Sequence, residues 1–221
     1  MSYIDFVSEL HKATVRDYIG RVTSDDKAQC AIIAKEYGYD YWDGDRKYGY
    51  GGYRYDGRWK SVARKIVEYY ELKPGQKVLD IGCGMGHLLY EFTKIVPELM
   101  VYGIDISMYA LEHAKEEIRK NLQYGQAQAL PFNDNEFDLV ISLATLHNLK
   151  VYDLKKAIKE IERVSKKNSY IMVESFRNDR EEVNMLYWQL TCASYYSVDE
   201  WEWLYNEWGY KGDYSFIFFE D

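Results

Sequence analysis

One stretch, KVLDIGCGMGHL at 77–88, sets an acid ahead of three alternating glycines: Asp80, then Gly82, Gly84 and Gly86, with the small Cys83 between them. Glycine has no Cβ, so this spacing lets the main chain turn tightly through positive φ and lets a ligand lie against the backbone. The apolar run before the glycines predicts a strand. The residues after them predict a helix, whose first turn offers unpaired N–H groups and partial positive charge. Together they form a floor for a nucleotide-like ligand. Two ligands compete for it. A nicotinamide dinucleotide is served by G-x-G-x-x-G, which seats the pyrophosphate on the helix N-terminus. Here the spacing is G-x-G-x-G, with Asp80 two residues ahead. A carboxylate repels a pyrophosphate but attracts an ammonium group, and S-adenosylmethionine has the ammonium and no phosphate.

The elements around this turn alternate. Strands are expected at 77–81, 100–104, 122–126, 137–142 and 169–174, with helices at 86–95, 107–120 and 153–165. Such alternation predicts an α/β fold: a Rossmann-like, mostly parallel, doubly wound sheet with helices on both faces. Ligands bind such sheets at the carboxyl ends of the strands. Asp80, Asp105, Gln126, Ser142 and Glu174 are therefore expected along one edge.

Before the core, residues 3–36 read as helical, with Ser24 as a cap. Residues 38–59, GYDYWDGDRKYGYGGYRYDGRW, follow neither helical nor strand periodicity. They read as a long ordered loop of the kind that serves as a lid. The organisation expected is a helical cap and aromatic lid over 1–60, then a core with aromatic C-terminal helices over 61–221. Those helices fall at 181–193 and 198–208, the second capped by Ser197 and ended by Gly209, with a final aromatic strand after it.

Composition narrows the partners. A net charge of -8 argues against nucleic acid, which requires clustered Lys and Arg. No apolar run approaches the roughly 20 residues that span a bilayer, and the N-terminus lacks the layout of an export signal. No membrane association and a cytoplasmic location are expected. The three cysteines lack metal-ligand spacing, so reduced thiols and no metal are expected. Oligomeric state is left open. Aromatic residues are abundant, 17% of the chain with 23 tyrosines, and much of this falls outside the glycine-turn region.

VLDIGCGMGHLL resembles the first motif of class I S-adenosylmethionine-dependent methyltransferases, of the type 11 and ubiquinone-biosynthesis kind. GIDIS at 103–107 resembles their second motif, GQAQALPFNDNEFDLVISLATLHNL at 125–149 the third and fourth, and AIKEIERVSKKNSYIMVE at 157–174 the helix and strand that follow. The resemblance covers residues 72–174 in order. It implies S-adenosyl-L-methionine as cofactor and S-adenosyl-L-homocysteine as product. Gly82, Cys83, Gly84 and Gly86 would cradle the cofactor, Asp80 would hold its methionine end, and Asp105 would accept from both ribose hydroxyls. Ile106 would pack on the adenine, Gln126 would meet its amino group in place of the family's usual acid, Ala127 would lie beside the ring, and Ser142 would stand at the same edge.

For the transfer itself, His147 in LATLHNL is the base candidate by place and by ordinary pKa. Tyr50 is an alternative, with Tyr48, Tyr53, Tyr55 and Glu174 behind it. Asp45 and Arg58 of the lid are candidate acceptor contacts, and Arg46, Arg54 and Arg58 carry forks suited to a carboxylate or phosphate. The lid also resembles an N-terminal extension of bacterial methyltransferases for surface glycans and small metabolites. That implies a small polar acceptor, a polysaccharide precursor or sugar nucleotide, methylated on oxygen or nitrogen. After Gly209 there is little room for the family's closing pair of strands, so a short far edge is expected. A nicotinamide-dependent oxidoreductase and a methyltransferase-like binder without turnover are the alternatives.

Overall fold

Strand segments such as VLDI and LVISL are apolar at successive positions because the sheet they form is covered on both faces. The computed structural model describes residues 1–220. In chain order the elements are α1 (Ser8–Lys12), α2 (Tyr18–Thr23), α3 (Lys27–Ala34), α4 (Tyr39–Trp42), α5 (Lys60–Tyr70), β1 (Lys77–Ile81), α6 (His87–Ile95), β2 (Met100–Asp105), α7 (Met108–Glu112), α8 (Glu116–Arg119), β3 (Leu122–Tyr124), β4 (Phe137–Leu143), α9 (Val151–Val164), β5 (Ser165–Glu174), α10 (Asp179–Trp188), α11 (Val198–Trp208) and β6 (Asp213–Ile217). The six strands form one sheet in the order β3-β2-β1-β4-β5-β6, and every pairing is parallel. The strand order reverses between β1 and β4, where such sheets open a crevice for ligands.

Alternate strand residues point to opposite faces. Leu79, Ile81, Val140, Ile171 and Val173 pack with Leu154, Ile158 and Ile161 of α9 and with Trp201 and Tyr205 of α11. Val78, Leu139, Ile141 and Met172 face the other way, onto Ala63 and Ile66 of α5 and Leu89 and Phe92 of α6. Helix α11 starts with a capping box between Ser197 and Glu200 and ends at Gly209, φ 72°. The far edge is short as expected: β6 alone follows β5, and the N-terminal strand segment bonds to it through Ile4 N–H to Tyr214 O at 2.9 Å.

The flanks differ from expectation in detail. Residues 3–36 divide into three short helices, and Asp26, not Ser24, caps the third by accepting from Ala28 and Gln29. The stretch 107–120 breaks at His113 into α7 and α8, where the imidazole stacks on Tyr109 at 3.9 Å. Strand β3 stops at Tyr124, and β5 begins four residues early, at Ser165. The lid contains one helical turn, α4, and is anchored to the core. Trp42 Nε1 donates to Ser107 Oγ at 2.8 Å, and Asp43 accepts from Tyr109 Oη at 2.8 Å and from Tyr53 N–H at 3.0 Å. No helix among the described residues is long and apolar enough to cross a membrane.

Candidate active site

Two chambers adjoin at the carboxyl ends of β1, β2 and β4. The first, about 280 Å³, is floored by the glycine turn and walled by Tyr37, Tyr41, Trp42, Tyr50 and Tyr53. At Gly82 and Gly84 the backbone takes φ of 80° and 53°, which side-chain-bearing residues rarely adopt. A Cβ on Gly82 would run into Thr145, and one on Gly84 would stand 2.8 Å from the Trp42 ring. The missing side chains therefore make room for protein as well as ligand: the lid tryptophan lies directly on the turn.

The only acids lining this chamber are Asp80 and Asp105, and no Lys or Arg lines it among the described residues. Asp80, 4% exposed, makes no hydrogen bond to the turn amides. Burial, and next the nearby Asp105, push its carboxyl up to about 8. Asp105 Oδ2 accepts from Gly84 N–H and Oδ1 from Ser107 N–H, both at 2.7 Å. The Ile106 amide also acts on this carboxylate, and lone pairs remain on it for a ligand hydroxyl. Burial raises its pKa against the pull of those amides. A column of rings completes the wall: Trp42 on Tyr50 at 5.3 Å and 14°, Tyr50 beside Tyr53 at 4.5 Å, Tyr53 on His87 at 5.1 Å and 12°. Burial holds His87 down to about 4, so it is neutral. Ring faces and two acids with no basic side chain beside them favour a cation, and the buried carboxylate of Asp105 suits a ribose diol. S-adenosylmethionine fits both features.

The second chamber, about 410 Å³, shares Tyr41, Tyr50, Tyr53, Trp59, Ala144 and Asn148 with the first. Its remaining wall comes from the N-terminal segment, the lid, His147, Met172 and Glu174, the end of α10 with residues 189–191 after it, and Ile217 and Phe219. At the junction Ala144 takes φ 53°, a strained conformation for alanine of the kind concentrated at functional sites. Asn148 Oδ1 is buried there without a hydrogen-bond partner. Deeper in, His147 is 2% and Glu174 6% exposed. His147 Nδ1 accepts from Glu174 N–H at 3.4 Å, which places the neutral ring's proton on Nε2. Nε2 lies 3.3 Å from Glu174 Oε2, yet Oε2 lacks an aligned hydrogen bond, while Oε1 accepts from Gln189 Nε2. Burial lowers His147 to about 3 and raises Glu174 to about 8, opposed by Arg16. Near neutral pH the pair is an uncharged imidazole beside a protonated carboxyl.

Of the expected cofactor residues, Asp80, Gly82, Cys83, Gly84, Asp105, Ile106, Gln126 and Ala127 all line the first chamber. Ser142 does not. Its side chain is fully buried and its Oγ donates to Ile81 O at 2.9 Å, tying β4 to β1. Gly86 is also off the chamber, and a Cβ there would meet Ile118 at 2.5 Å, so it serves the packing of α6 on α8. Four expected acceptor contacts are likewise corrected. Asp45 is exposed and holds Lys47 N–H; Tyr48 packs by Cys30 and Leu190; Tyr55 donates to Glu91 at 2.6 Å outside both chambers. Arg58 reaches the second chamber, but its fork is engaged by Asp56 at 2.8 and 2.9 Å. Tyr50 and Tyr53 line both chambers; burial raises both phenols, which unfits Tyr50 as a base. Glu174 and His147 both line the second chamber, the imidazole's proton turned toward the carboxyl. Thr145, Asn148, Arg16 and Arg21 were not foreseen, whereas Arg46, expected as a fork for a carboxylate or phosphate, does line the second chamber. For Asn148 the signal was present, beside His147 in LATLHNL.

A doubly wound sheet with a glycine turn, acids closing two neighbouring strands and a ring-walled, cation-favouring chamber defines a Rossmann-like protein for a positively charged nucleoside. Comparison with known proteins gives the family. A family model described as methyltransferase domain matches residues 72–209. The chain is 34% identical over 118 residues to a demethylmenaquinone methyltransferase of Symbiobacterium thermophilum, covering 50% of this chain and 46% of that one. It is 30% identical over 169 residues to a 2-phytyl-1,4-naphtoquinone methyltransferase of Nostoc punctiforme, covering 72% and 68%. Among solved structures, the YcgJ protein of Bacillus subtilis superposes with TM-score 0.55 at 26% identity over 66% of each chain. The chain belongs to the methyltransferase domain family and has the Rossmann-like α/β fold of its solved neighbours. The chain spans about half the length of most of the curated relatives it matches.

Proposed function

We propose that the chain transfers a methyl group from S-adenosylmethionine to a small planar acceptor seated in the second chamber. The observation that carries this reading is the pair of adjoining chambers, one acidic and ring-walled, the other lined by basic residues, meeting at Ala144, Asn148 and Tyr50. S-adenosylmethionine supplies an electrophilic methyl on a sulfonium for in-line displacement, a reaction governed by placement of the acceptor. Asp80, mostly protonated near neutral pH, would ionise as the ammonium of the methionine end docks beside it, and Asp105 would bind the ribose diol. The ring column excludes water and favours positive charge. Asn148 offers its unpartnered Oδ1 to an acceptor O–H or N–H at the junction. Glu174 takes the acceptor's proton once it is ionised, and His147 positions it.

Two acceptor classes are candidates. The names of the relatives give naphthoquinone-type acceptors for those proteins, while the lid's resemblance favours a polar glycan precursor. The rings of Tyr41, Tyr50, Tyr53 and Trp59 offer stacking surface in the second chamber, and on that ground a planar acceptor comes first. Calorimetry with S-adenosylhomocysteine and with NADH tests the cofactor. Heat with the first alone is expected; heat with NADH alone refutes the reading. Release of S-adenosylhomocysteine from S-adenosylmethionine in the presence of acceptor separates an enzyme from a binder.

A further inference from the structure

Three guanidinium groups converge on one wall of the second chamber. Arg16 follows α1, Arg21 lies in α2 and Arg46 in the lid, and their centres stand 5.6, 5.1 and 5.2 Å from the ring centroid of Trp188. None of the three forms an ion pair among the described residues. Their protein partners are neutral. Arg16 Nη1 donates to Thr14 O at 2.9 Å, Arg21 Nε to Trp188 O at 3.3 Å and Nη1 to Arg46 O at 3.0 Å, and Arg46 Nη1 to Gly49 O. Arg16 Nε is buried with no partner at all. Arg58, Arg163 and Arg177 are by contrast each engaged by carboxylates.

Three like charges drawn together out of water without a counterion oppose folding. Burial lowers all three, and Arg46 lowers both Arg16 and Arg21 further. Of the titratable groups facing them, Asp25 offsets Arg21 in part, but its carboxylate is paired with Lys47. His11 is neutral, held down to about 4 by burial and Arg16, Glu174 stays protonated up to about 8, and the charge of Arg58 is answered by Asp56. In a chain of net charge -8, this concentration of unanswered positive charge in a cavity points to a ligand that completes it.

We infer that the acceptor is an anion, its carboxylate or phosphate docking on Arg16, Arg21 and Arg46 beside Trp188 while its reacting end reaches Asn148 and Ala144. The inference rests on the reading of the second chamber as the acceptor site. Planar guanidinium forks match carboxylate and phosphate oxygens in pairs, and the indole adds a stacking face for a ring attached to the anion. The wall would then do two things: select charged over neutral acceptors and set the distance between the anion and the transferred methyl.

The test is calorimetry at pH 7 on the S-adenosylhomocysteine-loaded protein, with benzoate, phenyl phosphate and neutral benzyl alcohol as probes. At least one aryl anion should bind about tenfold or more tightly than benzyl alcohol, the tighter of the two naming the anionic group. Arg21→Gln and Arg46→Gln should each weaken that anion about tenfold or more, while Lys35→Gln, an equal change of charge on the exposed surface, should leave it within twofold. Heat with S-adenosylhomocysteine should persist in every variant. Absence of anion binding to the wild-type protein overturns the inference, as does equal binding of benzyl alcohol or equal anion affinity in both arginine variants. Failure of the wild-type protein to bind S-adenosylhomocysteine would instead strike the methyltransferase reading, and the same probes on the ligand-free protein would still decide whether the wall holds anions.

Discussion

Asp80→Asn is the substitution from which most can be learned. The carboxyl ends β1 at 4% exposure, accepts no hydrogen bond from the turn and has a second acid, Asp105, beside it. Its pKa rises from 3.8 in the unfolded chain to about 8 in the folded one. The folded protein therefore holds this proton over a range where the unfolded chain has lost it, so stability is greatest below about 4 and falls as pH rises toward 8. At about 1.4 kcal/mol per unit, the whole interval corresponds to an upper bound of about 6 kcal/mol. An effective dielectric of about 20 and the open side of the chamber reduce the expected effect to about 1–3 kcal/mol. Asparagine keeps the shape and removes the titration. Urea unfolding of the ligand-free proteins at pH 5 and pH 9 should show the variant gaining about 1–3 kcal/mol on the wild type between the two, a relative rise in Tm of roughly 2–12 °C for a chain of this size. The same variant should bind S-adenosylhomocysteine about tenfold or more weakly, because asparagine cannot ionise to meet the ammonium as Asp80 can. Parallel pH profiles would refute the description of Asp80 as a buried, unpartnered acid. Undiminished affinity would refute its role toward the cofactor.

Other expectations follow from the same geometry. Glu174→Gln should abolish a rise of kcat with pH through about 8 while leaving S-adenosylhomocysteine binding unchanged; a retained rise assigns the proton elsewhere. Gly84→Ala forces a Cβ into positive φ and against the Trp42 ring, so it should destabilise the fold by about 1–3 kcal/mol and weaken the cofactor, both readable by thermal unfolding with and without ligand. Asn148→Ala should lower kcat about tenfold or more with little change in cofactor affinity if its Oδ1 orients the acceptor; Asp45→Asn, exposed and outside both chambers, should change neither.

The frame of the site was legible in the sequence because its signals are local. The apolar run 77–81, the glycines after it and the acid closing 100–105 lie within 30 residues of one another, and strand alternation with parallel topology places their ends side by side. What lay beyond was set by partners distant in the chain. The glycine spacing announced a ligand, yet Thr145, Trp42 and Ile118 occupy the space the absent side chains leave. Ser142 sits at the correct end of β4, but its side chain is satisfied by Ile81 O within the sheet, and the strand reaches the chamber only at Leu143 and Ala144. The arginine wall joins residues 16, 21 and 46 to Trp188, and no periodicity links them. His147 was visible as a histidine near the chemistry; that a carboxyl of raised pKa stands in front of it depends on β5 lying beside β4.

The wall common to the two chambers constrains how such a protein can diverge. Tyr50 and Tyr53 line both chambers, so under the proposed function a change at either position alters affinity for donor and acceptor alike and is held back by the need to keep the methyl donor. Arg21, Arg46, Trp188 and Leu190 line the second chamber alone. Acceptor preference is free to drift there while the donor site stands still, and variants selected for a new acceptor should accumulate at those positions before any appear in the ring column.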